Sequence, residues 1–242
     1  MANSITLEHV DAGYGSVRVL HDVSMRVDDG ETVVLLGSNG NGKSTLIKCI
    51  TGIVTPTSGR IALVTEGGTT NLVGMTPEAI VDLGVALVPE GRRLFPALSV
   101  QENLMLGAFR PAARAQIEAN LEFVYGVFPV LRERRRQQAS SMSGGEQQMV
   151  ALGRALMSAP TFLLIDEPSV GLAPILVSRV IAKIKELKER RGLTILMAEQ
   201  NFNQAIKIAD RAYVMVHGCI EFEGDTAGLA DNPMIKRYYL GA

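Results

Sequence analysis

Residues 33–51 read VVLLGSNGNGKSTLIKCIT. Four apolar residues come first, then a loop with three glycines, and then apolar residues at helical spacing. The loop contains G-x-x-x-x-G-K-S, the pattern of a phosphate-binding P-loop, between the strand and the helix that such a loop requires. The stretch therefore predicts a buried strand, a loop that wraps phosphate groups and a helix that begins at Lys43. A chance match is the alternative, and the flanking strand and helix make it rare.

The residue types of this loop fit phosphate chemistry. Glycines let backbone N–H groups approach phosphate oxygens, and the helix N-terminus adds partial positive charge. The Lys43 ammonium can reach the β- and γ-phosphates, and the Ser44 hydroxyl can ligate Mg²⁺. The predicted nucleotide ligands in the loop are Gly37, Ser38, Asn39, Gly40, Asn41, Gly42, Lys43, Ser44 and Thr45.

Composition limits the class of protein. A chain of 242 residues with 47% hydrophobic and 20% charged residues is globular and long enough for one large domain or two small ones. The net charge of −1 gives no electrostatic footprint for nucleic acid. No apolar run approaches the ~20 residues that span a bilayer, and the first residues do not resemble a signal peptide. Cys49 and Cys219 are expected to be buried free thiols, and the three histidines lack metal-ligand spacing.

The segments before and after the P-loop differ in character. Alternating apolar residues at 5–10 and 17–27 predict antiparallel strands. Between them, Tyr14 is either a half-buried strand residue or a ring stacked on a nucleotide base. Residues 92–140 change to a helical pattern that Pro129 must interrupt. Four arginines within residues 132–136 form either a solvated face or a docking surface.

Two further stretches carry possible chemistry. Ser143-Gly-Gly-Glu146 fits a capping box, whose two glycines leave the backbone donors accessible to an anion, although most such boxes are structural. Asp166 and Glu167 follow the apolar run 162–165, and carboxylates at the end of a buried strand are costly unless they meet a cation. Asp166 fits a Mg²⁺-associated carboxylate. Glu167, expected to point the opposite way on the strand, is placed to polarise an attacking water.

The last third alternates between helix and strand. Pro174 begins an amphipathic helix that Gly192 ends. A buried strand at 193–198 follows, then a short helix to about Ala209 and two paired strands around residues 217–218. Residues 226–240 are expected to be helical and exposed.

The order of these motifs resembles the ATP-binding cassette (ABC) ATPases. The resemblance covers essentially the whole chain, and Met142-Ser-Gly-Gly-Glu-Gln-Gln148 before the Asp-Glu pair is its specific part. It implies an α/β fold: a P-loop NTPase core with a mostly parallel sheet, an antiparallel β subdomain and a helical subdomain. Residues 1–91 and 157–242 would form the core with the β subdomain, and residues 92–156 the helical subdomain.

The resemblance also implies cofactors, partners and roles. ATP and Mg²⁺ would bind between the P-loop of one chain and the Ser143 helix start of another in a head-to-tail dimer. Transmembrane permease subunits, and indirectly a substrate-binding protein, would respond to it at the cytoplasmic face of the inner membrane. The nucleotide ligands implied in this way are Tyr14, Ser143, Gly144, Gly145 and Glu146. Ser44, Asp166 and Glu90 would serve the metal, and Glu167 and Gln200 would be catalytic.

Three positions depart from the general family pattern. Glu90 replaces a glutamine, Ala173 replaces an aspartate, and Gln200 replaces a histidine that contacts the γ-phosphate. With VPEGRR, DEPSVGLAP, AEQN and the terminal YLGA, they resemble the shorter ATPase subunit of branched-chain amino-acid-type importers. Importers of other amino acids, amides or aromatic acids remain alternatives. So do a soluble assembly ATPase and a non-hydrolysing ATP-binding module.

Overall fold

A computed structural model describes residues 3–231. In the first half of the chain the elements are β1 (Ser4–Tyr14), β2 (Val17–Val27), β3 (Thr32–Leu36), α1 (Lys43–Ile50), β4 (Ser58–Thr65), β5 (Gly68–Asn71), α2 (Pro77–Asp82), β6 (Val85–Val88), α3 (Val100–Met105), α4 (Pro111–Arg114) and α5 (Ile117–Val127). The second half contains α6 (Pro129–Glu133), α7 (Gly144–Leu156), β7 (Phe162–Asp166), α8 (Pro174–Arg191), β8 (Thr194–Glu199), α9 (Phe202–Ala205), β9 (Arg211–Val216), β10 (Cys219–Asp225) and α10 (Thr226–Asp231).

The P-loop strand lies inside a six-stranded sheet with the order β10-β9-β3-β8-β7-β6. The pairs among β9, β3, β8, β7 and β6 are parallel, and only β10 runs antiparallel to its neighbour. All five residues of β3 and of β7 are buried, as the unbroken apolar runs predict. Because parallel strands end at the same edge, the P-loop after β3 lies beside the ends of β7 and β8.

The N-terminal strands form a second sheet. It is antiparallel and has the order β2-β1-β4-β5, which confirms the prediction for the segments before the P-loop. Helix α1 packs between the two sheets, because its Leu46 and Ile50 share one buried cluster with Ile5 of β1 and Leu35 of β3. This packing fixes the direction from which α1 approaches the P-loop.

The segment between β6 and β7 is helical, as expected. Val124, Phe128 and Leu131 are buried in a second cluster with one face of the six-stranded sheet. Helix α5 ends at Val127 and α6 begins at Pro129, which confirms the predicted interruption. The division into subdomains at residues 92 and 156 remains a prediction.

The last third departs from expectation in two places. The helix predicted to reach Ala209 ends at Ala205. Leu229 of α10 is fully buried against β10, so the segment is not simply exposed. Residues 232–242, including the terminal YLGA, lie outside the described residues.

The two cysteines differ in how far they are buried. Both cysteines are free, but only Cys49 is buried; Cys219 is half-buried. Burial raises the pKa of Cys49 to about 12.

Among residues 3–231, none of the helices combines the length and the apolarity that a bilayer crossing requires.

Candidate active site at the P-loop

A cavity of about 470 Å³ lies over the P-loop. Its walls come from the N-terminal sheet, the P-loop, the start of α1 and the ends of β6 and β7. The lining residues are Val19, Asn39, Gly40, Gly42, Lys43, Ser44, Thr45, Glu90 and Glu167. The fold therefore brings the predicted phosphate-binding residues together with two of the predicted acidic residues.

The backbone of the loop explains its glycines. Gly40 and Gly42 have φ angles of 84° and 101°, which side chains other than glycine rarely adopt. A Cβ atom at Gly42 would also lie 2.9 Å from the Leu20 side chain. Gly42 is the N-cap of α1 and provides no side-chain cap, so the first amides of α1 remain available to an anion.

Lys43 is held at the floor of the cavity. Its Nζ atom donates to Gly37 O at 2.8 Å and Ser38 O at 3.1 Å, and it lies 2.8 Å from Glu167 Oε1. Lys43 is 3% exposed and Glu167 is 7% exposed. Burying either charge alone would be costly, and the ion pair between Lys43 and Glu167 reduces this cost for both side chains. The pair places a cation and a carboxylate side by side where phosphate is expected.

Not every predicted P-loop ligand faces the cavity. Gly37 and Ser38 contribute carbonyl groups to Lys43. The Asn41 side chain accepts from the His217 N–H, and its carbonyl accepts from the Gly218 N–H. Asn41 therefore fastens the loop to the β9–β10 turn.

Asp166 and Ser44 form the second contact between β7 and α1. The Ser44 hydroxyl lies 3.0 Å from Asp166 Oδ1. Burial raises the pKa of Asp166 to about 6, and the negative charges of Glu167 and Glu90 add to this effect. A hydroxyl and a carboxylate are the hard oxygen donors that Mg²⁺ takes alongside substrate phosphates. Within the described part of the chain, no three His, Cys, Asp or Glu side chains cluster as a self-contained metal site.

The predicted direction of the Glu167 side chain assumed strand geometry, which this residue does not have. Strand β7 ends at Asp166, and Glu167 has a φ angle of +45°. Strand alternation therefore does not determine its direction, and both carboxylates contact the P-loop. A left-handed conformation at a glutamate is rare and strained, so alternation in the sequence could not predict it.

Tyr14 lies at the end of β1, 46% exposed. Its hydroxyl is 3.4 Å from Thr45 Oγ1, and the Lys48 ammonium lies 5.8 Å from the ring centroid. The ring is thus a partly exposed surface beside the start of α1. Both alternatives from the sequence fit this position.

The start of α7 is a capping box, as predicted. The Ser143 side chain accepts from the Glu146 N–H, and the Glu146 carboxylate accepts from the Ser143 N–H. Ser143 is exposed. Among the residues that the structure describes, those lining the P-loop cavity do not include residues 143–146. One chain therefore does not bring its own Ser143 to its own P-loop.

Gln200 is exposed directly after β8. The sequence did not indicate a role for Glu199, the residue before it. Glu199 is 0% exposed and accepts hydrogen bonds from Ser169 Oγ and from the N–H groups of Gln200 and Asn201. An acidic residue at the end of the apolar run 193–198 was the available signal, because a buried carboxylate requires partners.

The loop that carries Glu90 is also held by residues that the sequence did not indicate. Gly91, Arg92 and Arg93 all have positive φ angles. Arg154 of α7 donates to Arg92 O at 3.1 Å and Arg93 O at 2.7 Å. The Arg92 side chain reaches Gln147 and the Gly171 carbonyl. The helix that begins at Ser143 is therefore connected to the Glu90 loop.

Comparison with known proteins decides the family. The family described as ABC transporter matches residues 20–170. The chain belongs to the ABC transporter family. As a member it is an ATPase, a subunit of the kind that works with transmembrane permease components.

Individual relatives agree with this assignment. The chain is 45% identical, over 98% of its length and 99% of the relative's, to the high-affinity branched-chain amino acid transport ATP-binding protein BraG of Pseudomonas aeruginosa. It is 32% identical, over 96% of both chains, to the probable branched-chain amino acid transport ATP-binding protein LivF of Archaeoglobus fulgidus.

Solved structures agree as well. A nucleotide-free ATP-binding cassette from an ABC transporter matches with a TM-score of 0.84 and 26% identity over 100% of both chains. The ADP conformation of an ATP-binding cassette of an ABC transporter matches with a TM-score of 0.82 and 27% identity, also over 100% of both chains. The predicted fold class is confirmed.

Proposed function

We propose that the chain is the energy-coupling ATPase of an importer for branched-chain or related amino acids. The family assignment supports an ATPase of a transporter, and the likeness to BraG over nearly the full length of both chains supports the substrate class. The observation that carries the proposed chemistry is the contact of Lys43 and Ser44 with Glu167 and Asp166 at one cavity.

ATP would bind with its phosphates in the P-loop cavity. The uncapped amides of α1 and the Lys43 ammonium supply the positive potential that a triphosphate requires. Tyr14 would stack on the adenine, because its exposed ring lies next to Thr45 at the mouth of the loop. Gly40, Gly42 and Thr45 complete the cradle.

Ser44 and Asp166 would hold Mg²⁺, with Glu90 nearby. Their oxygen atoms already lie 3.0 Å apart, and Glu90 lines the same cavity. When bound, the ion would neutralise phosphate charge and lower the cost of ionising buried Asp166.

Glu167 would polarise the attacking water. Its carboxylate lies 2.8 Å from the Lys43 ammonium, so a γ-phosphate bound to Lys43 would lie beside the proton acceptor. Gln200, exposed at the end of the neighbouring strand β8, would donate a hydrogen bond to the γ-phosphate. Its amide is neutral at every pH and cannot shuttle protons.

The second half of the site would come from another subunit, either a second copy or a related chain. Ser143 is exposed, and the two glycines after it leave the first two positions of α7 without side chains. A head-to-tail dimer would place this helix start against the γ-phosphate bound to the other P-loop. Hydrolysis would remove the group that holds the two surfaces together.

The permease would dock beside the Glu90 loop, at the cytoplasmic face of the inner membrane. Phe95, Met105, Leu106 and Phe109 are exposed there, although such large apolar side chains are usually buried. Leu106 and Phe109 line one groove, and Met105 and Arg135 contribute to a second. A cytoplasmic segment of the permease, apolar with acidic flanks, would fit this surface. The substrate-binding protein would act through the permease.

The substitution Glu167→Gln tests the proposed chemistry. A general base is typically worth about 10²–10⁴-fold, so phosphate release by the chain assembled with its permease should fall by about that factor. ATP affinity should remain, because the P-loop is intact. The matched control is Glu189→Gln on the exposed face of α8, which should keep full activity. Full turnover of Glu167→Gln would refute the role of this carboxylate.

A further inference from the structure

Glu199 is the buried carboxylate for which the proposed chemistry has no use. It ends β8 and is fully buried. Its Oε1 atom accepts three hydrogen bonds, from Ser169 Oγ at 2.5 Å, Gln200 N at 3.1 Å and Asn201 N at 3.0 Å. Its Oε2 atom is buried without a hydrogen-bond partner among the described residues.

This arrangement is a costly way to end a strand. A buried carboxylate loses its hydration, and an oxygen without a partner is not compensated. An apolar residue would continue the buried run of β8 without that cost. Glu199 therefore contributes something other than stability, and its three bonds indicate what it holds.

The three bonds join two loops that carry proposed functions. Two donors are the backbone groups of Gln200 and Asn201, directly after β8. The third is Ser169, two residues after Glu167. The Glu167 N–H itself donates to Ala198 O at 3.0 Å, one residue before Glu199. The Glu167 loop and the Gln200 loop are thus fastened to each other at one side chain.

The Glu167 loop also extends toward the start of α7. A Cβ atom at Gly144 would lie 3.2 Å from the Leu172 side chain, three residues beyond Ser169. A shift of the Ser169 loop would therefore be felt both at Gln200 and at the Ser143 helix start.

We infer that Glu199 is a positioning residue that fixes the backbone of Gln200 relative to Glu167, with Ser169 as the second contact. The inference rests on the proposed function, because Gln200 must contact the γ-phosphate for its position to matter. Glu199 itself touches no substrate and acts only through its three hydrogen bonds.

A double-mutant cycle between Glu199→Ala and Gln200→Ala tests the inference. Turnover and KM for ATP are measured on the chain assembled with its permease. If Glu199 acts through Gln200, Glu199→Ala lowers kcat by about tenfold, as expected for lost hydrogen bonds to a charged group, and by no more than Gln200→Ala does. KM stays within about twofold. In the Gln200→Ala background, Glu199→Ala then adds less than about twofold.

Two further variants guard against a folding defect. Glu199→Gln keeps an acceptor oxygen for the three donors, so it should lose less activity than Glu199→Ala. Ser169→Ala removes one bond and leaves the other two, and its smaller loss should also vanish in the Gln200→Ala background. Ser169→Ala decides the question if Glu199→Ala fails to fold. Glu189→Ala, on the exposed face of α8, is the control for loss of a carboxylate.

The outcomes separate the inference from the proposed function. Full turnover of Gln200→Ala would overturn both the role of Gln200 and the inference. If Gln200→Ala is impaired but Glu199→Ala or Ser169→Ala multiplies its loss, only the inference fails. Wild-type turnover of Glu199→Ala, or equal loss in Glu199→Gln and Glu199→Ala, would also overturn it.

Discussion

Two helices of this protein begin with the same capping box and differ in what lies inside it. Helix α3 begins with Ser99-Val-Gln-Glu102, and α7 begins with Ser143-Gly-Gly-Glu146. In both boxes the serine side chain accepts from the N–H of the glutamate, and the glutamate accepts from the N–H of the serine.

The residues between serine and glutamate separate the two boxes. Val100 is fully buried, and Ser99 forms a bridge to Gln138, so the first box is fastened into its own chain. Gly144 and Gly145 place no side chains over the second helix start: Gly145 is buried against Leu176, and Ser143 before it is exposed. The same local hydrogen bonds thus serve a structural helix start in one place and, in the proposed function, a surface that receives an anion in the other.

Replacing the two serines by aspartate should give the largest difference. Aspartate caps a helix as well as serine does, so both variants should fold, with similar small losses of stability from the nearby glutamate. At Ser143 the added charge would face the γ-phosphate of the other subunit. Like charges in contact cost several kcal/mol, so Ser143→Asp should lower phosphate release about 100-fold or more.

The control is Ser99→Asp, and both variants are assayed on the ATPase subunits without the permease, because Ser99 lines a groove proposed to dock it. Under these conditions Ser99→Asp should keep wild-type phosphate release. ATP binding by either variant as a single chain should be unchanged, because each P-loop is intact. Equal loss of activity in the two variants would contradict the distinction between the boxes, and so would no loss in Ser143→Asp.

The helices behind the two boxes hold the same segment at two points. Asn103 of α3 bonds both the N–H and the carbonyl of Phe95, and Arg154 of α7 bonds the carbonyls of Arg92 and Arg93. These bonds go to partly buried or exposed backbone groups, and each is typically worth about 0.5–1.5 kcal/mol. Asn103→Leu and Arg154→Met, which each lose at least two such bonds, should therefore each lower the free energy of unfolding by about 1–3 kcal/mol. Urea titration measures it.

Only Arg154→Met should also raise the Mg²⁺ concentration for half-maximal ATPase activity. Of the two side chains, Arg154 bonds Arg92 and Arg93 in the loop that carries Glu90, whereas Asn103 bonds Phe95 farther along the chain. If Asn103→Leu raises it equally, the effect is a general loosening of the segment.

The acidic residues of the site and of the structural box should respond to pH in opposite directions. The folded pKa of Asp166 is raised from 3.8 to about 6, so its ionisation favours unfolding, and stability falls as pH rises through that window. In metal-free buffer at pH 8, Asp166→Asn should therefore be more stable than wild type by about 2–3 kcal/mol. The gain should vanish below pH 4. If Asp166→Asn is less stable than wild type at pH 8, the buried Asp166 carboxylate does not destabilise the fold when it is ionised, and the prediction is wrong.

Glu102 should give the opposite and smallest effect. Hydrogen bonds from the Ser99 side chain and N–H lower the pKa of this exposed carboxyl below its ordinary value of 4.5. Its contribution to stability is therefore complete above that value and is lost as pH falls through the folded pKa. The Tm of Glu102→Gln should be lower than that of wild type at pH 7, and the two values should become equal in acid. A difference that is independent of pH would rule out the charge as its cause.

The features that local rules determine were predictable. The P-loop, the capping box at Ser143 and the break at Pro129 follow from residue types at fixed spacing. The family resemblance supplied the proposed roles of Ser143 and Gln200, which spacing alone left open. Residues defined by tertiary contacts were not predictable in this way: the left-handed Glu167, the buried Leu229 and the carboxylate of Glu199. Each is determined by neighbours distant in sequence, and no periodicity marks them.

An ATP-bound structure of the Glu167→Gln variant, assembled with its permease and partner ATPase, would locate the triphosphate relative to both helix starts. We expect Ser143 Oγ or its neighbouring N–H groups to lie within hydrogen-bonding distance, about 2.7–3.2 Å, of a γ-phosphate oxygen held by the P-loop of the other subunit. If Ser143 instead faces its own chain and no γ-phosphate lies within reach, the shared site does not exist, and the protein binds its nucleotide as a single chain.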